Sequence, residues 1–121
     1  MPDDTKYGIF ICMNYKVIIL EQAIDFIESQ NEKMKAKIFR TIGLLKMFGY
    51  DLKEPHVKKI QGADDIFELR VKVATNISRL FFFHFTGKEY VVTSGYIKKE
   101  DKTNPREITK AKKIMVEFLN G

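Results

Sequence analysis

The chain has 121 residues, of which 45% are hydrophobic and 31% are charged, and its net charge is +5. This composition predicts one globular domain over residues 1–121 and favours an anionic partner, although solvated lysines alone account equally well for the charge. The single cysteine, two distant histidines and short apolar stretches exclude an internal disulfide, structural zinc and a membrane span. We therefore expect a cytoplasmic protein without metal or cofactor.

The first half of the chain predicts one strand followed by a helical hairpin. Residues 7–13 are apolar and β-prone, which indicates a strand at or near a sheet edge. Two stretches with helical spacing of apolar residues follow, and Gly49 is placed to end the second helix. Residues 51–56 form a predicted loop, and residues 57–60 a short strand. The apolar stripes of the two helices are Leu20, Ala23, Ile24 and Ile27, then Met34, Ile38, Ile42, Leu45 and Phe48.

The second half predicts three antiparallel strands and a final helix. Residues 66–73, 77–85 and 90–97 are separated by short turns, so they are neighbours in one sheet. The middle strand is apolar on both faces and is therefore central. Asn104 caps the last helix, Pro105 takes its first position, and Glu107 completes a capping box. The fold class is α+β: a mostly antiparallel sheet of four to five strands, with the helical hairpin on one face and a carboxyl-terminal helix.

Basic residues recur on these strands where an ordinary core does not need them. Alternation in residues 66–73 places Glu68, Arg70 and Lys72 together on one face. Arg79 lies on the next strand, and Lys98, Lys99 and Lys102 follow the last one. If these strands are neighbours, at least four cations converge on one concave face, which suits a phosphodiester.

The order of these motifs resembles the phage-derived HigB branch of the RelE toxin superfamily. The resemblance covers nearly the whole chain and implies a type II toxin, an endoribonuclease that cleaves mRNA, typically on the ribosome. It also implies a cognate antitoxin, commonly a helix-turn-helix DNA-binding protein. The motifs that carry it are Val57-Lys58-Lys59-Ile60, Ile66-Phe67-Glu68-Leu69-Arg70, Arg79, Gly95-Tyr96-Ile97-Lys98-Lys99, Lys102-Thr103, Pro105 and Glu107-Ile108 before Ala111.

Metal-free RNA cleavage uses the neighbouring 2′-hydroxyl as nucleophile, so the enzyme must move two protons and stabilise a phosphorane. A lysine surrounded by other cations loses its proton more readily, which makes Lys72 the first candidate for the base. Following the RelE pattern, Arg70 and Arg79 grip the scissile phosphate from the solvent face, and Lys98 or Lys99 adds charge. The predicted catalytic set is Arg70, Lys72, Arg79 and Lys99.

A second group of residues is predicted to contact RNA without taking part in the chemistry. It consists of Lys58, Lys59, Tyr96, Lys98 and Lys102. Packing is the simpler interpretation of Tyr96, since tyrosines on half-buried strands are mostly packed. The two lysines at 58 and 59 are equally consistent with plain solvent exposure.

Three further residues have simpler interpretations than catalysis. Glu68 most simply pairs with Arg70 on its own strand, and His84 is a hydrogen-bonded residue of the core. His56, on a loop, is the weaker candidate for proton transfer. A nuclease-dead RelE-fold subunit that binds antitoxin and nucleic acid remains the alternative function. In either case the antitoxin is expected to form a heterotetramer through its own dimer interface.

Overall fold

The structure is a computed structural model that describes residues 15–63, 65–98 and 103–121. None of the helices in this part of the chain is long and apolar enough to cross a membrane. In chain order the elements are β1 (Lys16–Ile19), α1 (Glu21–Glu28), α2 (Glu32–Phe48), a short 3-10 turn (Gly49–Asp51), β2 (Val57–Lys59), β3 (Ile66–Val73), β4 (Asn76–Thr86), β5 (Glu89–Lys98) and α3 (Pro105–Asn120).

The five strands of the described residues form one sheet in the order β1-β5-β4-β3-β2. β1 runs parallel to β5, and the other neighbouring pairs are antiparallel. β4 is central, as its apolar run predicted. The register places Arg70 opposite Arg79 and Lys72 opposite Ile77. Residues directly opposite one another share a face of the sheet, so these four side chains start from the same side.

The two amino-terminal helices cover one face of the sheet and form the larger core. Ala23 and Ile27 of α1 and Ile38 of α2 are buried against sheet residues that include Leu69 and Phe82. The expected hairpin on one face is therefore confirmed. The predicted apolar stripes are right for most positions, but Ile24 of α1 is 44% exposed and Phe48 at the end of α2 is 45% exposed.

Gly49 ends α2, as predicted, and its environment explains why a glycine stands there. Its φ is 52°, a left-handed conformation that is unfavourable for residues with a Cβ atom. A Cβ atom at this position would also overlap the ring of Tyr15. The glycine thus allows the chain to turn sharply and Tyr15 to pack against the turn.

α3 covers the opposite face of the sheet, where Ala111, Ile66 and Phe81 form a second, smaller core. Asn104 caps α3 as predicted, its side chain accepting a hydrogen bond from the N–H of Arg106 (2.9 Å). The predicted capping box is wrong in its second half. The N–H of Asn104 donates to the hydroxyl of Tyr96 (2.9 Å), and so Glu107 does not take that place.

One strand was not predicted, and one prediction lies outside the described residues. β1 is only four residues long, has no alternation of polar and apolar residues, and pairs with β5 through residues that the sequence placed before a helix. The strand predicted over residues 7–13 falls outside the described part of the chain. The remaining strands and the three helices match the predicted α+β order, which is confirmed.

Candidate nucleic-acid interface

A groove of about 230 Å³ opens at the edge of the sheet, between α2, the loop before β2 and the last residues of β3. Arg70, Lys37 and His56 are half-buried in its wall, and Lys72 is exposed. We call it the cationic groove; its lining residues are Lys37, Thr41, Pro55, His56, Arg70, Lys72 and Ile77.

The groove exists because β2 is much shorter than β3. β2 pairs with only residues 67–69 of β3, and the next backbone N–H, that of Arg70, donates to the carbonyl of His56 at 2.8 Å. Beyond Arg70, a side chain takes the place of a pairing strand at the edge of β3. Nζ of Lys37 donates a hydrogen bond to the backbone carbonyl of Lys72 at 2.5 Å. The contact satisfies an edge carbonyl and brings a third cation beside Arg70 and Lys72.

Basic residues of α2 extend this surface and were not predicted from the sequence. An adjoining groove of about 420 Å³ is lined by Lys33, Lys37, Arg40 and Lys72. The three α2 residues are spaced by four and three positions, so they lie along one side of the helix, a spacing that was available in the sequence. Among the described residues that line the two grooves there is no carboxylate. The surface is therefore suited to a polyanion.

Arg79 does not lie on the solvent face, and this prediction is wrong. Arg79 is 2% exposed, and its Nη1 lies 2.6 Å from Oε1 of Glu68, which is fully buried. Glu68 was expected to pair with Arg70, its neighbour along β3. It pairs instead with Arg79 across the sheet, since Arg79 stands diagonally opposite and lies beneath the segment that leads into α3.

A hydroxyl group from the segment before α3 forms a hydrogen bond with the buried ion pair. Thr103, directly before the cap of α3, donates to Oε2 of Glu68 at 2.9 Å. Nε of Arg79 is also buried and has no hydrogen-bond partner within the described part of the chain. The pair is neutral as a unit and adds no net charge to the cationic groove. Arg79 thus connects β3, β4 and the start of α3.

Tyr96 is packed rather than available to stack on a base. Its ring stacks on Phe81 with centroids 5.9 Å apart and planes 14° apart. Its hydroxyl accepts the hydrogen bond from Asn104 described above. Burial raises the pKa of Tyr96, so the hydroxyl stays neutral at physiological pH. The packing interpretation fits this structure, and the predicted RNA contact does not.

The other predicted lysines are only partly placed together. Lys58 and Lys59 are exposed on β2. The backbone of Lys98 pairs with Ile77, which itself stands opposite Lys72, so the end of β5 lies in the same cross-strand row. Lys99 and Lys102 lie outside the described residues. His84 forms a hydrogen bond with the carbonyl of Gly87 at 2.7 Å, as expected, but it is half-buried and does not belong to the core.

The sequence was also compared with known proteins. No curated protein matches the chain. Residues 25–116 match the family described as phage derived protein Gp49-like (DUF891), which is well over half of the chain. The protein belongs to the Gp49-like family. The match includes α2, the loop with His56, and the strands that carry Arg70 and Lys72.

Solved structures show that this Gp49-like protein has the RelE fold. A mutant of the Escherichia coli toxin RelE in the free state is similar with a TM-score of 0.62 at 17% identity, covering 84% of this chain and 97% of that one. RelE in an archaeal RelE–RelB complex from Pyrococcus horikoshii gives 0.56 at 17% identity, covering 73% and 99%. The intact E. coli RelBE toxin–antitoxin complex gives 0.51 at 16% identity, covering 73% and 99%.

Proposed function

We propose that this protein is the toxin of a type II toxin–antitoxin pair, of the HigB branch, and that it cleaves mRNA without a metal. The observation that supports this most directly is the cationic groove, in which Arg70, Lys72, Lys37 and His56 line one cavity and no carboxylate stands among the described lining residues. A surface of this kind attracts the phosphates of RNA and can stabilise the negative charge that develops during cleavage. The RelE fold supplies the context.

In the proposed reaction the RNA itself provides the nucleophile. The 2′-oxygen attacks the adjacent phosphorus, the bond from phosphorus to the 5′-oxygen breaks, and the products are a 2′,3′-cyclic phosphate and a 5′-hydroxyl. Arg70 holds the scissile phosphate and stabilises the phosphorane. Lys72 takes the proton of the 2′-hydroxyl as the general base. His56 lines the same cavity and is placed to give a proton to the leaving 5′-oxygen; Lys99 is the other candidate for that step.

The structure changes the role that we propose for Arg79. A residue that grips a phosphate must be accessible, and Arg79 is buried in a pair with Glu68. We propose that Arg79 is a positioning residue, which keeps β3 and β4 in register behind Arg70. Lys58, Lys59, Lys98 and Lys102 remain proposed RNA contacts, because cations strengthen binding through phosphates alone, and Lys58 and Lys59 are exposed.

The proposed partners follow from the same surface. Two of the similar structures are complexes of RelE with RelB, and one of these is described as a toxin–antitoxin complex. For this protein we propose an antitoxin of the helix-turn-helix type that covers the cationic groove, in a heterotetramer formed through the antitoxin dimer. The ribosome is the proposed place of cleavage, and the basic side of α2 is its proposed contact with ribosomal RNA.

The buried state of Arg79 favours one alternative: a nuclease-dead subunit that binds antitoxin and RNA. If cleavage requires a second arginine at the phosphate, the Glu68–Arg79 pair withholds it. This alternative predicts RNA binding by the cationic groove without strand cleavage.

The test compares growth and RNA cleavage for matched variants, with the neighbouring reading frame as the source of antitoxin. Arg70→Ala and Lys72→Ala should each reduce cleavage at least tenfold, since loss of one group that stabilises the transition state typically costs about 3 kcal/mol. Lys88→Ala is the control, because Lys88 lies exposed in the turn after β4, at the other end of the strands from the groove. Growth arrest that is relieved by co-expression of the neighbour supports the toxin. Binding without cleavage by the wild-type protein, on free RNA and on translating ribosomes, supports the alternative.

A further inference from the structure

A second concave site lies on the face of the sheet that α1 and α2 cover, beside the 3-10 turn. It is a recess of about 370 Å³, and aromatic rings from four different elements contribute to it. Tyr50 comes from the turn, Phe67 from β3, Phe82 from β4 and Tyr90 from β5. We call it the aromatic recess. The cationic groove shares none of the described residues that line the recess.

Tyr50 is the exposed wall of this recess. It is 56% exposed, although its ring makes edge contacts with Tyr90 (centroids 5.8 Å apart) and with Tyr15 (6.4 Å). The neighbouring aromatic residues therefore hold the ring in place while a large part of its surface meets solvent. A fixed, exposed ring of this kind is a platform on which another planar group can stack.

Tyr90 supplies a buried polar group to the same recess. The residue is 2% exposed, and its hydroxyl has no hydrogen bond of good geometry among the described residues, although the hydroxyl of Tyr50 lies nearby. Burial raises the pKa of Tyr90, and the nearby hydroxyls of Tyr50 and Tyr15 raise it further, so this phenol remains protonated and can donate. Buried polar atoms without a partner are rare in folded proteins, and a bound ligand is one way to supply the partner.

The rim of the recess carries positive charge. Lys53, Lys58 and Lys59 lie around it, and Glu54 is the single acid among the lining residues that the structure describes. The occupant should therefore combine a flat aromatic group with hydrogen-bonding atoms at its edge and at least one negative charge outside the recess. A nucleotide has these three properties.

We propose that the aromatic recess binds one nucleobase of a single-stranded RNA, stacked on Tyr50, with the adjacent phosphate at Lys58 or Lys59. The proposal deepens the proposed function and rests on it for the identity of the RNA. Pro55 and His56 line the cationic groove, whereas the residues on both sides of them, Glu54 and Val57, line the recess, so the two sites adjoin along one short segment. One RNA strand crossing this segment occupies both.

The test uses a short oligoribonucleotide with 2′-O-methyl sugars, which has no free nucleophile and cannot be cleaved by 2′-hydroxyl attack. Its affinity for the full-length protein is measured by fluorescence anisotropy, with an abasic residue moved along the strand. Tyr50→Ala should weaken binding about tenfold, the effect of losing one stacked base. At one position of the strand the abasic change should cause the same loss, and the two changes together should cost little more than either alone.

Matched variants separate stacking from other effects. Phe39→Ala removes an aromatic residue of similar exposure (49%) from α2, outside the recess, and should leave the affinity unchanged. Tyr90→Phe keeps the ring but removes the donor, and should weaken binding about threefold. Lys59→Ala should reduce the slope of log affinity against log salt by about 0.7, the value for one phosphate contact on a single strand. This variant also keeps the test valid if Tyr50→Ala fails to fold.

Each result has a defined meaning. Equal affinities of the wild-type protein and Tyr50→Ala, with an unchanged salt slope for Lys59→Ala, would overturn the proposal. A loss of antitoxin binding without a loss of RNA binding would also overturn it and make the recess a protein contact. If Tyr50 is needed for binding but the wild-type protein cleaves no RNA, the base-binding role of the recess is supported and the proposed nuclease activity is refuted. If Arg70→Ala abolishes cleavage while Tyr50→Ala binds RNA normally, the proposed nuclease activity is supported and the base-binding role of the recess is refuted.

Discussion

Replacing Arg79 should destabilise the protein far more than replacing Arg70, although the two arginines stand opposite each other on neighbouring strands. The side chains of Arg79 and Glu68 are 3% and 0% exposed, and their charged atoms are 2.6 Å apart. Removing one partner leaves the other charge buried without compensation, which costs about 3–5 kcal/mol. This is a large part of the roughly 5–15 kcal/mol by which a domain is usually stable.

The free energy of unfolding is compared among two variants of the buried ion pair and one control. Arg79→Ala should lower the free energy of unfolding by the amount above and the melting temperature by about 10–20 °C. The double change Glu68→Met with Arg79→Met keeps similar volumes, removes both charges and eliminates the unpartnered Nε, so it should recover most of the loss. Arg70→Ala, at a half-buried position in the cationic groove, should stay within about 0.5 kcal/mol of the wild type.

Urea unfolding followed by circular dichroism measures these differences, and RNA cleavage is assayed at a temperature where every variant is folded. The reasoning is refuted if Arg79→Ala unfolds at the same urea concentration as the wild type. If the same variant also loses cleavage, Arg79 contacts the phosphate in solution, and the role first predicted for it is restored.

Two further predictions concern proton transfer and the buried tyrosines. Lys72→Arg keeps the charge but holds its proton, so single-turnover cleavage should collapse while the affinity for uncleavable RNA stays nearly constant; equal losses would make Lys72 a phosphate anchor. Burial raises the pKa of Tyr96 above its usual 10.0. Above pH 10 the unfolded chain therefore releases a proton that the folded state retains. The contribution of Tyr96 to the free energy of unfolding is present below pH 10 and is lost as the pH rises further. Tyr96→Phe should therefore flatten the alkaline decline in urea titrations and cost about 1 kcal/mol at neutral pH, whereas Tyr90→Phe, which removes a hydroxyl without a partner, should cost nothing.

Much of the fold was predictable because its signals are local. Alternation and short turns identified β3, β4 and β5 as antiparallel neighbours, and Gly49 and Asn104 marked helix ends that the structure confirms. β1 was missed for a physical reason. Val17, Ile18 and Ile19 are β-prone, but the stretch is only four residues long, shows no alternation and is held by its pairing with β5.

The candidate site was predictable only in part, since side-chain alternation tells which residues share a face and not what covers it. Arg70, Lys72 and Arg79 do start from one face, as predicted, but α3 and the segment before it cover the part that holds Arg79. The sequence contained a hint of this. Phe81, two residues later on the same strand, was assigned to a covered face, and the same cover extends to Arg79.

The contribution of α2 to the groove depends on tertiary packing for a different reason. Lys33, Lys37 and Arg40 form a basic side of a helix, and such a side is usually only solvated. It becomes part of a site here because β2 stops early, so an edge carbonyl of β3 is left for Lys37 to bind. The length of one short strand thus decides whether cations from the helix and the sheet act separately or line a common groove. A short β2 over residues 57–60 was predicted, but the approach of Lys37 to the free edge of β3 depends on how α2 packs on the sheet, which no local pattern shows.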